Sequence, residues 1–109
     1  MTQLFDKAEL LLNLDGDEEL VQSILEEAVT EIPNDVEKLR NACSGGDSQV
    51  VRLCAHTIKG MAANLCTPAL RDICMEIETA GRDGDIETAQ ALMAELEQTV
   101  QRTLEAIKG

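Results

Sequence analysis

The chain has 109 residues, a mass of 11.8 kDa and 44% hydrophobic residues, enough for one small core, so a single domain spanning 1–109 is expected. Its formal net charge of −12, from 21 acidic against nine basic residues, argues against nucleic acid or an anionic membrane as partner, because both demand clustered lysine and arginine. No apolar run approaches the roughly 20 residues that span a bilayer, and the polar N-terminus lacks a signal-peptide core, so a cytoplasmic location is expected.

Taken in chain order, the first expected element is a short helix near residues 3–12, anchored by Phe5 and Leu11. Three Gly-Asp steps follow, at Gly16-Asp17, Gly46-Asp47 and Gly84-Asp85, and each precedes a helical pattern. Glycine suits the left-handed position that ends a helix, while aspartate accepts from the free amides that begin the next one. After Asp17 the apolar stripe is Leu20, Ile24, Ala28, Ile32, Val36, Leu39 and Cys43. Pro33 interrupts it chemically, but the stripe stays in phase across the proline, which predicts one kinked helix rather than two.

The next helix is expected over about 47–65, with Val50, Leu53, Cys54, Ile58, Met61 and Leu65 as its core face. At ~100° per residue these average to a direction roughly 140° from His56, so the imidazole is expected to face solvent. Thr67-Pro68 marks a further start, with threonine as N-cap and proline at the first helical position, ahead of Leu70, Ile73, Cys74 and Ile77. A last stripe runs through Ile86, Ala89, Met93, Leu96, Val100 and Ile107. No strand pattern competes. The fold class expected is all-α: an antiparallel four-helix bundle with a short additional N-terminal helix.

His56 is the only histidine in the chain. On a helix, Arg52, Lys59, Gly60 and Ala63 are its neighbours at three- and four-residue spacing. An imidazole with an ordinary pKa of ~6.5 is largely neutral near pH 7 and offers a ring lone pair without a separate base. That is a nucleophile suited to phosphoryl transfer, whose transition state needs positioning and a compensating cation more than covalent help. Lys59 can supply the charge, and the small side chains of Gly60 and Ala63 leave an open approach beside the ring. A solvated surface histidine near a lysine has the same spacing, and an interior glycine also serves close helix contacts. Spacing alone does not choose between them.

His56-Thr57-Ile58-Lys59-Gly60, with Ala62-Ala63-Asn64-Leu65 after it, resembles the signature of histidine-containing phosphotransfer (HPt) domains. The flanking stretches Leu14–Leu20 and Gly81–Asp85 resemble the helix starts on either side of that signature, so the likeness covers nearly the whole chain. The resemblance implies His56 as phosphoacceptor, Lys59 as the phosphoryl-stabilising cation and Gly60 as the residue that clears the approach, and Arg52, Gly60, Ala63 and Asn64 are expected to form the partner-docking surface. It implies as partner a receiver domain of a response regulator or hybrid histidine kinase, which brings its own Mg2+ and catalytic acids. No cofactor is expected on this chain, and a monomer is expected. Met61 departs from the commoner small residue, as in chemotaxis kinases, and Cys66 stands where a glycine usually ends the signature.

Two rival functions remain open at this level. One is the phosphoaccepting segment of a larger chemotaxis-type histidine kinase, and the other a non-phosphorylated helical adaptor, which would need neither His56 nor Lys59. A kinase or ATPase in its own right is not expected, because no glycine-rich loop is followed by Lys-Ser or Lys-Thr. Metal binding is not expected either. The four cysteines, at 43, 54, 66 and 74, lack the two-to-four-residue gap of zinc sites, and Cys54 and His56 diverge by ~200° on one helix. Cys43, Cys54 and Cys74 are expected to pack as reduced, core-facing thiols.

Overall fold

The computed structural model describes residues 2–109. It contains five helices and, among the described residues, no strand: α1 (Lys7–Asn13), α2 (Glu18–Gly45), α3 (Ser48–Leu65), α4 (Pro68–Arg82) and α5 (Ile86–Lys108). The boundaries follow the predicted chemistry. Asp17, Asp47 and Asp85 each accept a hydrogen bond from a first-turn amide, those of Leu20, Val50 and Thr88, at 3.0, 3.2 and 3.1 Å. Asp6 does the same for α1 through the Glu9 amide. Each such cap contributes typically ~1 kcal/mol.

The long helix α2 runs through Pro33 without a break, as the unbroken stripe requires, because Pro33 is exposed and Ile32 and Val36 are held in the core. Helix α2 packs against α3 and α5, and α4 packs against the same two, so each long helix has two long neighbours. The Arg40 guanidinium pairs with Glu97, and the Gln90 side-chain amide donates to the Cys43 carbonyl at 2.8 Å, fastening α5 to α2. The N-terminal segment is tied to the turn between α3 and α4. The Asp6 amide donates to the Cys66 carbonyl at 2.8 Å, and the Ala69 amide to that of Gln3 at 3.1 Å.

The stripes of α4 and α5 are buried largely as expected, with Leu70, Ile73, Cys74 and Ile77 in the core and Ile86 and Ile107 partly covered. Two phases need correction. At the start of α2 the buried residues are Val21 and Leu25, whereas Leu20 is exposed and Ile24 half-buried. On α3 the core face is Val51, Ala55, Ile58, Ala62 and Leu65, and Val50 and Leu53 are exposed. The buried arc therefore lies roughly 70° round the helix from the predicted one, at ~100° per residue. Helix α3 is covered on two sides, by α2 and α4, and alanines at the contact let both neighbours approach. Cys54 is accordingly only half-buried, while Cys43 and Cys74 are in the core, and all four cysteines are free thiols. Burial pushes the Cys74 thiol up to about 12.

Two details of the turn between α3 and α4 also differ from expectation. Thr67 occupies the N-cap position before Pro68, but its buried hydroxyl donates back to the Ala62 carbonyl at 3.0 Å instead of accepting from the new helix. Cys66 caps α3 with φ of 60°, the left-handed conformation for which glycine is the usual choice. Its thiol is buried and accepts from the Asn13 amide at 3.7 Å, so the helix end forms without the glycine.

Candidate functional site

Helix α3 presents His56 near its middle, with the imidazole 62% exposed. Because α3 and α4 lie side by side about the turn at Thr67, residues equally far from that turn face one another. His56 and Glu78 are such a pair, each eleven residues from it. Nδ1 of His56 lies 2.7 Å from Oε2 of Glu78, and Nζ of Lys59 lies 2.5 Å from Oε1 of the same carboxylate. One acid thus holds both residues of the motif through its two oxygens.

Glu78 is mostly covered, with a side chain 15% exposed. Burial pushes its carboxyl upward, but the hydrogen bonds from Lys59 and His56, with their charges, outweigh that and hold it below the ordinary carboxylate value. The group is therefore ionised and can only accept. Nδ1 of His56 must then carry a proton, so in the neutral ring the lone pair lies on Nε2. Lys59 is the nearby cation, 28% exposed and one turn beyond His56.

The other predicted residues divide into two groups. Gly60, Ala63 and Asn64 are exposed on the same helix as His56, and a methyl group built on Gly60 would meet nothing within 4 Å. The close-contact reading of Gly60 is therefore excluded. Arg52 is half-buried, one turn before His56, and forms no ion pair among the described residues. Its backbone packs on Gly81 of α4, where an added methyl would lie 2.8 Å from the Arg52 nitrogen and 3.0 Å from the Ser48 carbonyl oxygen. Gly81, not Gly60, is the glycine kept for helix contact.

Sequence reasoning missed Glu78. The available signal was its place one residue after Ile77, at the edge of the α4 stripe, combined with its equal spacing from the turn. Leu53, half-exposed and three residues before His56, was misplaced in the core. Among the described residues, no group of three His, Cys, Asp or Glu side chains is placed to hold a metal ion, and no helix is long and apolar enough to cross a membrane.

A family model, the Hpt domain, matches residues 23–106, which include the whole of α3 and α4. The chain belongs to the Hpt domain family, and histidine phosphotransfer in a two-component phosphorelay is the function that membership carries. Among solved structures, the chain is similar to histidine-containing phosphotransfer protein B (HptB) of Pseudomonas aeruginosa PAO1. The identity is 27%, the TM-score 0.86, and the match covers 97% of this chain and 91% of that one. No curated protein shows a significant sequence match.

Proposed function

We propose that His56 is the phosphoacceptor, and that the four long helices form one antiparallel bundle that holds it up to a receiver domain. The observation that carries this reading is the Glu78 clamp, which fixes the imidazole tautomer and leaves Nε2 free at an exposed surface. The Nε2 lone pair attacks the phosphorus of an aspartyl phosphate in line. The N–P bond forms as the acyl O–P bond breaks, and the aspartate leaves as a carboxylate. The phosphorylated ring retains the proton on Nδ1, and Glu78 balances the positive charge that ring acquires. Lys59 compensates charge on the transferring oxygens. Return transfer to a second receiver is the same step in reverse.

Mg2+ and the acids that bind it belong to the receiver in this scheme, and the chain itself acts as a cytoplasmic monomer without a cofactor. Arg52, Gly60, Ala63 and Asn64 border the approach to the ring, with Gly60 leaving space and Asn64 offering an amide to the partner. Retention of a clamped His56 beside Lys59 disfavours a non-phosphorylated adaptor. The test is incubation with labelled, phosphorylated receivers from the same genome. Acid-labile, base-stable label is expected on the wild-type chain and none on His56→Gln, which should fold normally because exposed substitutions usually change stability by under ~0.5 kcal/mol. Label persisting on His56→Gln would overturn the assignment.

A further inference from the structure

Nine basic side chains share the chain with 21 acids, so a half-buried cation without an acidic partner is out of keeping with its surroundings. Lys38, Arg40, Lys59, Arg71 and Arg82 each stand within 4 Å of a carboxylate. Arg52 does not. Among the described residues the arginine side chains that donate hydrogen bonds are those of Arg40 and Arg71, so the Arg52 guanidinium has neither an ion pair nor a hydrogen bond although the residue is half-buried. Lys7, Arg102 and Lys108 are unpaired as well, but they are exposed and none lies on α3 or α4.

Arg52 and Lys59 bracket His56 along α3, four residues before it and three after, which places both on its face of the helix. Side chains on a helix lean toward its N-terminus, so the imidazole is directed over the turn that carries Arg52. Gly81 seats the α4 backbone against the Arg52 nitrogen, which fixes the root of the arginine while its head stays unpartnered. The two cations differ in what they offer a phosphoryl group. Lys59 is held by Glu78 and gives up one anion to take another. Arg52 has none to give up, so its attraction for a phosphoryl group on Nε2 is a gain with no matching loss. A planar guanidinium also presents paired N–H donors to two phosphoryl oxygens, a fork that lysine lacks.

We infer that Arg52 is a second phosphoryl-binding residue, which engages the oxygens once the group sits on His56 and so sets how far the transfer equilibrium lies toward this chain. The inference rests on the reading of His56 as phosphoacceptor and deepens it. An interaction present in the phosphorylated chain and absent from the free one enters the equilibrium constant in full. A contact made only with a docked receiver cannot do so, because it is absent from both separated proteins and alters rates alone.

Wild type, Arg52→Gln, Arg52→Lys and the control Arg102→Gln on α5 are each mixed with a labelled, phosphorylated receiver of the same genome, and the ratio of label on the two proteins is read at its plateau. Glutamine keeps most of the side-chain stem, so far-ultraviolet melts of Arg52→Gln should match wild type. Its equilibrium should move about tenfold toward the receiver, the size of one charge-assisted contact. Arg52→Lys should recover part of that shift, and Arg102→Gln should keep the wild-type ratio. An unchanged ratio in Arg52→Gln, even with slower transfer, would overturn the inference and leave Arg52 a docking residue. A second measurement needs neither variant nor partner. The wild-type chain is loaded chemically at its one histidine with potassium phosphoramidate, and the Nε–H resonance of Arg52 should shift on loading. A resonance that stays in place would overturn the inference too. If no receiver labels the wild-type chain, the reading of His56 as physiological acceptor fails, and the resonance still decides whether Arg52 binds the phosphoryl group.

Discussion

At the residue scale the central fact is that a single carboxylate engages both His56 and Lys59. Glu78 orients His56 and at the same time neutralises Lys59, so in the proposed transfer Lys59 would exchange one oxygen partner for another as the phosphoryl group arrives. Lys59→Ala should therefore slow transfer by about tenfold or more, a loss of about 1.4 kcal/mol of transition-state stabilisation. Phosphotransfer kinetics measured beside melts will separate this from a folding defect; a rate unchanged from wild type would make Lys59 a partner of Glu78 only. Glu78→Gln should also slow transfer, because the tautomer is then less firmly fixed. Its stability has a definite pH signature. The carboxyl titrates below its ordinary value of 4.5 in the folded chain, so its contribution is complete above that value and is lost as pH falls through the depressed one. Urea midpoints of wild type and Glu78→Gln should differ at neutral pH and converge as the pH falls through the depressed value. A gap that stays constant would show that Glu78 acts through packing alone.

At the scale of the helix, the two glycines on α3 and α4 give opposite expectations. Gly60 faces open space, so Gly60→Ala should stabilise the chain by up to about 1 kcal/mol through helix propensity and, if the open face admits the receiver, slow transfer. Gly81 touches the backbone of α3, which cannot give way as a flexible side chain would, so Gly81→Ala should cost about 1–3 kcal/mol. Paired thermal melts followed by helix circular dichroism check both signs, and a destabilised Gly60→Ala would contradict the open surface. Nothing in the order of residues separates these glycines, because the difference lies in which helix comes to rest on each. The same limit explains the rest of what the sequence conceals. The caps at Asp17, Asp47 and Asp85 and the stripes of α4 and α5 were legible, since caps are local and those stripes carry large apolar side chains. Helix α3 was misphased because alanines at 55 and 62 count little as hydrophobes yet let two helices pack close, while Leu53 counts heavily and stands in solvent. Glu78 was hidden because its role depends on the register of α4 against α3.

At the scale of the whole molecule, 21 acidic side chains share a surface with nine basic ones, and the ion pairs among the described residues engage only a few of them. The excess negative charge repels itself more strongly in the compact state than in the extended chain, which places an electrostatic penalty on folding. Salt should relieve it. Exposed charges more than about 10 Å apart are largely screened at 0.1 M ionic strength, whereas the short contacts of Glu78 with His56 and Lys59 are partly buried and screened far less. The relief of long-range repulsion should therefore exceed the loss of exposed pairs such as Arg71–Asp72, each worth ~1 kcal/mol or less. Raising sodium chloride from about 0.01 M, where the screening length is roughly 30 Å, to about 0.3 M should move the urea midpoint upward. A downward shift would mean that specific ion pairs, and not the net charge, dominate the electrostatics of the fold.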